Sequence, residues 1–421
     1  MTATVIAHAA RSGIAALNVV TAALDADPRT RALPVVFAKS AREVAAAIAA
    51  ASGPVVVAHS FYSTDFARAA AELAAMPRER ALHVAGGVHA TAEPSATLAA
   101  GFDLAVIGEG EHAFVELCAA VAGGRDPRGG PGTAWRDRDG ALARGPAAPR
   151  RPLDDFPAAN LRHGRWNPLE ITRGCVYACS FCQTPFMFKA RFRHRSVADV
   201  RAHVRAMVAG GLRYVRYVSP TSLSYGSPDT GVNLPAVEAL LAAVRAELPP
   251  GGKQYFGTFP SEVRPEHVSA EALALIARHA DNRSLVIGGQ SGSERLLAAT
   301  HRGHDVAAIE RAVALCGEAG FRADVDFLFG LPGEDDVDRA HTIALAERIT
   351  ALGARIHAHA FMPLPGTPLA GAAPTAIAPA LADAVARLES RGAAYGQWRA
   401  QAQLADDLVQ LRARRPRRVD V

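Results

Sequence analysis

The chain has 421 residues, 49% of them hydrophobic and 21% charged, with a formal net charge of +5. That length exceeds one ordinary core, so two or three domains are expected, and the composition is that of a folded globular protein. No run approaches the roughly 18 apolar residues of a membrane span, which excludes an integral helical membrane protein.

The first segment, Met1–His8, lacks the positive n-region of a signal peptide and reads as a first strand. Up to residue 124, short β-branched runs alternate with alanine-rich stretches. Strands are predicted at Thr4–His8, Pro34–Ala38, Pro54–Ser60, Ala81–Gly87 and Leu104–Gly110, with helical stretches such as Ala41–Ala51 and Asp65–Ala75 between them. Strands buried on both faces and separated by helix-length segments imply a doubly wound parallel sheet. Two of them run into glycine, at Gly86-Gly87-Val88-His89 and Gly108-Glu109-Gly110. In such sheets ligands bind beyond the carboxyl ends of the strands, where glycine lets a cofactor approach the backbone. His8, His59, His83 and His89 decorate these strands and read as core or rim histidines.

Residues 125–168 form a junction rich in Gly, Pro and Arg, with a small hairpin predicted at Thr133–Leu142 around the turn pair Asp139-Gly140. From residue 169 strand–helix alternation resumes. Strands are predicted at 169–173, 213–219, 253–259, 284–290, 322–330 and 354–362, and helices at 196–209, 232–247, 267–279, 306–319, 335–351 and 376–400. Six such units fit a partial barrel, whose chemistry collects at the carboxyl ends of the strands.

The most specific signal lies after the first of these strands. Cys175, Cys179 and Cys182 fall within eight residues, in a chain with five cysteines altogether. Three close thiolates suit an iron–sulfur cluster, zinc or Cu(I), and no fourth cysteine is near, so a cubane held at three corners would keep one iron open. Structural zinc, with His194 as fourth ligand, is the alternative, but the paired Cys or Cys/His sets typical of it are absent. An odd, tightly spaced trio also suits a metal better than a disulfide, and clustered thiols imply a reducing cytoplasm. Cys118 and Cys316 lie on alanine-rich helical patterns and read as core thiols. Of the 46 basic residues 43 are arginine, and two basic stretches stand out. Lys189–Arg195 follows the cysteine loop and could line a route for an anionic substrate or a reductase; Arg412–Arg418 reads as a solvated tail.

Cys-x-x-x-Cys-x-x-Cys with Phe181 before the third cysteine resembles the cluster loop of the radical S-adenosylmethionine (SAM) enzymes. Gly86–Ala90 followed by Val106–Glu111, in that order before the cysteine loop, resembles the cobalamin-binding domain of the B12-type members of that superfamily. The resemblance covers roughly residues 1–370 and implies a cobalamin-binding-like domain at 1–124, a linker and hairpin at 125–168 and a radical SAM domain at 169–370. A C-terminal helix and basic tail fill 371–421. It implies Cys175, Cys179 and Cys182 as ligands of a 4Fe–4S cluster whose open iron binds SAM. Phe181, Ser219, Glu262, Arg264, Gly289, Gln290 and Ser291 become SAM-contacting candidates. Gly86, Gly87, Val88, His89, Gly108, Glu109 and Gly110 become cobalamin-contacting candidates. Gln290 stands where the family usually has an acid, and Val218–Gly226 replaces a Gly-Gly-Glu-like segment. The cobalt-ligating Asp-x-His-x-x-Gly signature is missing, so either cobalamin binds without a protein histidine on cobalt or the domain has lost it.

The function implied is a cobalamin-dependent radical SAM methyltransferase acting on a small molecule or peptide, with a flavodoxin- or ferredoxin-type reductant and neither membrane nor nucleic-acid partner. A non-methylating radical SAM enzyme and a non-enzymatic iron–sulfur or zinc protein are the alternatives. Methylthiolation of tRNA is disfavoured, because those enzymes carry a second cysteine trio in the N-terminal domain and this chain has only Cys118 there.

Overall fold

A computed structural model describes residues 2–10, 13–166 and 168–413. Contacts divide the chain into a first unit, residues 1–167, and a second, residues 168–421.

The first unit alternates strand and helix: β1 (Thr4–His8), α1 (Ile14–Ala26), β2 (Val35–Ala38), α2 (Ala41–Ala50), β3 (Val55–Ser60), α3 (Phe66–Ala74) and β4 (Ala81–Gly86). Then come α4 (Val88–Ala92), α5 (Pro94–Ala99), β5 (Leu104–Val106), α6 (Gly110–Ala122), β6 (Thr133–Arg136) and β7 (Leu142–Arg144). Strand order is β2-β1-β3-β4-β5-β6-β7. The first five strands are parallel. Val5, Ile6, Val56, Val57 and Leu104 are all but fully buried, as strands covered by helices on both faces require. The predicted hairpin is β6–β7, and it extends this sheet: β6 pairs antiparallel with β5 through Ala105↔Ala134 and Val106↔Thr133. Because β2 and β3 flank β1 on opposite sides, the topological switch lies at the carboxyl ends of β1 and β3, where such sheets bind ligands. There the chain passes so close that a Cβ at Gly13 would lie 2.0 Å from the Ser60 carbonyl oxygen.

The second unit begins with β8 (Leu169–Glu170), β9 (Thr172–Arg173), α7 (Gln183–Met187), β10 (Arg193–His194), α8 (Val197–Ala209), β11 (Tyr214–Val218) and α9 (Leu234–Glu247). It continues with β12 (Lys253–Tyr255), α10 (Ala270–His279), β13 (Ser284–Gln290), α11 (Glu294–Ala299), α12 (Val306–Glu318), β14 (Arg322–Phe329) and α13 (Asp336–Ala351). The last elements are β15 (Arg355–Ala360), α14 (Pro379–Ser390), β16 (Ala394–Gly396) and α15 (Trp398–Ala413). Parallel sheets β12-β11-β8 and β13-β14-β15-β16 are joined by a parallel bridge between Val263 and Ile287, giving the partial barrel.

Two segments differ from expectation. The first predicted strand is split: β8 pairs with β11, whereas β9 leaves the barrel and pairs antiparallel with β10. The single helix predicted at 376–400 is two helices with β16 between them. Gly392 breaks the helix at φ +69°, and β16 adds to the barrel edge through Ile356↔Ala394. A side chain at Gly396 could not fit, since its Cβ would lie 2.1 Å from the Ala358 carbonyl oxygen. Arg412 of the predicted basic tail is helical and donates to the Ala370 carbonyl; residues 414–418 of that tail lie outside the described residues. No helix among the described residues is long and apolar enough to cross a membrane.

Three histidines cross the first sheet as a hydrogen-bonded row. His83 Nε2 lies 2.9 Å from the Pro77 carbonyl, which only accepts, so that nitrogen carries the proton. His83 Nδ1 then accepts from His59 Nε2 at 3.1 Å, and His59 Nδ1 accepts from His8 Nδ1 at 3.1 Å. One carbonyl thereby sets the tautomer of all three rings. Burial lowers the pKa of His8 and His83 and carries that of His59 well below the usual histidine value, with the neighbouring rings adding to the effect at His59. All three are neutral in the fold and chargeable in the unfolded chain. Their contribution is therefore complete above about pH 6.5 and is lost as the pH falls below it. Urea midpoints of the whole chain should fall between pH 7.5 and 5.5, by on the order of 1 kcal/mol per neutral histidine. His59→Gln should flatten that slope; an equal slope in the variant contradicts the assignment.

Candidate metal centre and cofactor sites

The pairing of β9 with β10 cinches the neck of the loop that carries the three cysteines. At the neck Gly174 adopts φ +81°, and a Cβ there would sit 2.0 Å from the Arg191 carbonyl oxygen. The neck therefore demands glycine. Further bonds hold the loop: Ser180 N donates to Thr300 O at 3.0 Å and Cys182 N to Cys179 O at 3.0 Å. Gln183 Nε2 donates to Pro365 O at 2.7 Å. The segment after β15, through Pro365, thus supports the cysteine loop.

Cys175 and Cys179 are buried, Cys182 is half-buried, and none forms a disulfide. All three line one cavity of about 670 Å³ within the second unit. Burial pushes the Cys175 thiol up to about 12 and raises that of Cys182. Thiolates in this pocket therefore require a nearby positive centre. Arg302 supplies part of it: buried, it donates from Nη1 to Cys179 Sγ at 3.4 Å and from Nη2 to the Gly288 carbonyl. Three unbridged thiols, two buried and one half-buried, that line one cavity fit an iron–sulfur cluster. His194 does not join it, because its two ring nitrogens bond Thr172 Oγ1 at 3.0 Å and Ser227 O at 2.8 Å. The fourth ligand a structural zinc would require is thus engaged elsewhere.

The SAM-contacting candidates divide into two groups. Phe181, Ser219, Glu262 and Arg264 line the cavity. Phe181 also packs against the buried cluster of Leu296, Leu331 and Phe361, which makes it a hydrophobic wall. Ser219 is already engaged, its Oγ donating to Thr221 O at 2.9 Å and its N–H to Ser261 Oγ at 2.9 Å. Arg264 is buried and committed, paired with Glu266 and stacked 3.6 Å over Tyr177. Glu262 sits between Arg302 and Asp326; burial lifts its carboxyl to about 7, Arg302 opposing and Asp326 adding to the rise. Gly289, Gln290 and Ser291, by contrast, lie outside the cavity lining, which touches β13 at Val286. A bulge at Gly288/Gln290 shifts the register of β13, and Gln290 takes φ +76°. Gly289 packs toward Val325, which a Cβ would approach to 2.8 Å, and Ser291 Oγ faces Thr342 Oγ1 at 3.4 Å. The basic stretch after the cysteines is only partly exposed: Lys189 and Arg191 reach solvent, whereas Arg195 is buried in an ion pair with Asp199 at 2.6 Å.

In the first unit the cobalamin-contacting candidates converge. Gly86 ends β4, Gly87 turns at φ +90°, and Gly108 turns at φ +81° after neighbouring β5. Thr91 ties the turns together, its Oγ1 donating to Gly87 O at 2.9 Å and accepting from Gly108 N at 3.0 Å. Nothing lies within 4 Å of a Cβ placed on Gly108, which leaves the backbone there open to a flat ligand. Val88 opens α4, Glu109 caps α6 and Gly110 begins it. His89 is less available: buried, it bonds Ser63 Oγ at 3.0 Å and stacks on Phe66 at 4.1 Å. These glycine turns beyond a parallel sheet fit a corrinoid.

Several cavity residues escaped sequence reasoning. Arg302 lies in a loop with no motif around it. Asp326, His357, His359 and Tyr395 line the cavity from β14, β15 and β16. A His-x-His alternation on a strand, which puts both rings on one face, was the legible sign of the two histidines.

The sequence matches the Radical SAM superfamily over residues 169–346 and the B12 binding domain over residues 12–118. It is 28% identical over 340 residues to the uncharacterized protein MK0932 of Methanopyrus kandleri, covering 71% of this chain and 64% of that protein. It is 31% identical over 206 residues to the tRNA-2-methylthio-N(6)-dimethylallyladenosine synthase of Halorhodospira halophila, covering 48% of this chain and 42% of that enzyme. The chain thus spans less than two thirds of the length of these relatives. Among solved structures, the radical S-adenosylmethionine methyltransferase TsrM of Kitasatospora setae superposes with a TM-score of 0.67 at 19% identity, over 88% of this chain and 74% of that one. The cobalamin-dependent S-adenosylmethionine radical enzyme OxsB superposes with a TM-score of 0.63 at 15% identity, over 82% and 52%. Both show the same fold. The chain therefore carries a B12 binding domain followed by a radical SAM domain. A radical SAM domain implies a 4Fe–4S cluster and SAM for the barrel, and a B12 binding domain implies cobalamin for the first unit.

A carboxyl whose folded pKa is raised to about 7 contributes stability that is full below about pH 4.5 and lost as the pH rises through 7. Glu262→Gln removes that loss. The melting temperature of the variant relative to the wild type should therefore be higher at pH 8.5 than at pH 6; an unchanged difference sinks the reading of Glu262.

Proposed function

We propose that this chain is a cobalamin-dependent radical SAM methyltransferase acting on a small molecule or peptide. When bound, the cluster with SAM supplies one-electron cleavage of a sulfonium carbon–sulfur bond and a hydrogen-abstracting radical, and cobalamin supplies a methyl group. Cys175, Cys179 and Cys182 would hold the cluster through their thiolates. Arg302 donates to Cys179 Sγ and offsets the negative charge the ligands bring into a buried site. Phe181 would give SAM an apolar wall and Glu262 a polar contact, with Ser219 lining the cavity beside them. Gly86, Gly87, Val88, Gly108, Glu109 and Gly110 form the floor for the corrinoid, with His89 behind them as packing.

The observation that carries this reading is the unbridged cysteine trio lining one cavity, in a chain that also matches the B12 binding domain. The printed name of TsrM as a methyltransferase supports the methyl-transfer part. OxsB, named only as a cobalamin-dependent radical enzyme, supports a second reading in which the same cofactors perform another radical reaction. Methylthiolation of tRNA is not favoured, since the one cysteine of the first unit, Cys118, is buried in α6 with its thiol raised by burial. Flavodoxin- or ferredoxin-type protein is the proposed electron donor.

Anaerobically reconstituted protein should release 5′-deoxyadenosine from SAM under dithionite, and Cys179→Ala should lower that release at least a hundredfold. Hydroxocobalamin should bind stoichiometrically and, with SAM, give the spectrum of the methylated corrinoid. Absence of SAM cleavage overturns the whole proposal; cleavage without corrinoid binding overturns its cobalamin half.

A further inference from the structure

His357 and His359 lie two residues apart on β15, so both rings project from one face of the strand. Asp326 stands beside His357 in register on β14. Three atoms converge. His357 Nδ1 is 2.8 Å from Asp326 Oδ1, His359 Nε2 is 3.1 Å from His357 Nδ1, and His359 Nε2 is 3.7 Å from Asp326 Oδ1. All three residues line the cavity that the cysteines open into. None is sealed: the side chains are 13% (Asp326), 21% (His357) and 28% (His359) exposed, so an ion can reach them.

Protons alone satisfy these contacts poorly. An ionised carboxylate only accepts, so Asp326 asks for a proton on His357 Nδ1. Gln401 takes the Ala360 N–H on its Oε1 at 2.9 Å, which turns its amide nitrogen toward His359 Nδ1 at 3.3 Å. That amide asks for a lone pair on Nδ1, and so for the His359 proton on Nε2. Two N–H groups would then face each other at 3.1 Å, while Asp326 stays beyond hydrogen-bond reach of the second. A shared cation removes the conflict, because all three atoms then present lone pairs to one point. A cation bonded at about 2.1 Å to each would stand roughly 0.9 Å off the plane of this triangle, in the range usual for imidazole and carboxylate ligands. The accommodation falls on the longest contact. There the Gln401 carbonyl oxygen, which has two lone pairs, must come round to a His359 Nδ1–H as well.

The surroundings brace such a site. Tyr395 of β16 stacks on His357 at 4.5 Å and 9°, and Arg355 lies 4.3 Å over the tyrosine ring. The His357 ring is held in one plane, as a metal ligand requires. Glu262 adds a second carboxyl beside Asp326.

We propose that Asp326, His357 and His359 form a binding site for a divalent transition cation, separate from the cysteine trio and facing the same cavity. Two imidazoles and one carboxylate on one side leave the remaining coordination positions open. They face the cavity, where an oxygen or nitrogen donor of the substrate, such as the carboxylate and neighbouring amino or hydroxyl group of an acid, would complete the shell. The cation would fix the substrate in the barrel by chelation and take no electron.

The test is the zinc content of the full chain after cluster reconstitution, equilibration with zinc sulfate and desalting. About one zinc per chain is expected, and it should be lost in His357→Ala/His359→Ala and in the milder Asp326→Asn while iron and sulfide stay constant. The triple variant Cys175→Ala/Cys179→Ala/Cys182→Ala should lose the iron and keep this zinc, which separates failure of the cation site from failure of the cluster reading. Zinc retained by the histidine variant, or absent from the wild type, overturns the proposal. The second result leaves the trio as a purely hydrogen-bonding wall of the cavity.

Discussion

Nineteen residues of chain loop out between Arg173 and Arg193, and two short strands hold the ends of that loop together. Everything chemical in the second unit follows from this closure. Three thiols cannot be kept side by side in a flexible loop without paying the entropy of ordering it. Here the antiparallel β9–β10 pair closes the neck, Gly174 admits the Arg191 carbonyl at a distance no side chain tolerates, and Ser180, Cys182 and Gln183 pin the interior. The ligands are positioned before any metal arrives. Their burial makes bare thiolates unfavourable, so occupation by a cationic cluster and order in the loop reinforce each other.

The two units apply one rule to different cofactors. In each, parallel strands deliver backbone and small residues at their carboxyl ends, and the helices that follow cover the outside. The first unit uses glycine turns after β4 and β5, joined through Thr91. The second uses the cysteine loop after its first strand, while the opposite wall carries ionisable groups on β14 and β15. Arg302 links the cysteine loop to β13: one end of its guanidinium faces Cys179 and the other the Gly288 carbonyl, with Glu262 beside it. Charge in the barrel is thereby organised around the cysteines instead of being left to water.

Much of this was legible in the residues, and the failures have physical causes. Strand–helix alternation and the cysteine spacing are local patterns, so the doubly wound sheet, the partial barrel and the trio could be read directly. The division of the first barrel strand into β8 and β9 could not, because it depends on a pairing with Arg193 and His194 twenty residues away. β16 is three residues long inside an alanine-rich stretch, and its strand character comes from the free edge of β15. At the bulged end of β13, Gly289 and Ser291 face α12 and α13, while the Gln290 amide lies near Gly288 in the neighbourhood of Arg302 and Glu262. Arg302 and Asp326 announce themselves only once the fold brings them to the cavity. The histidines of the first unit were read correctly as core residues, although the hydrogen-bonded row they form is a property of strand register, not of spacing.

The central claim is that the three thiols hold a cluster with one iron open to SAM. Electron paramagnetic resonance of the anaerobically reconstituted, dithionite-reduced full chain tests it most directly. The account predicts a reduced 4Fe–4S signal that changes shape and g-values when SAM is added, as coordination at the open iron requires. A signal indifferent to SAM, or zinc in place of iron at Cys175, Cys179 and Cys182, would contradict it.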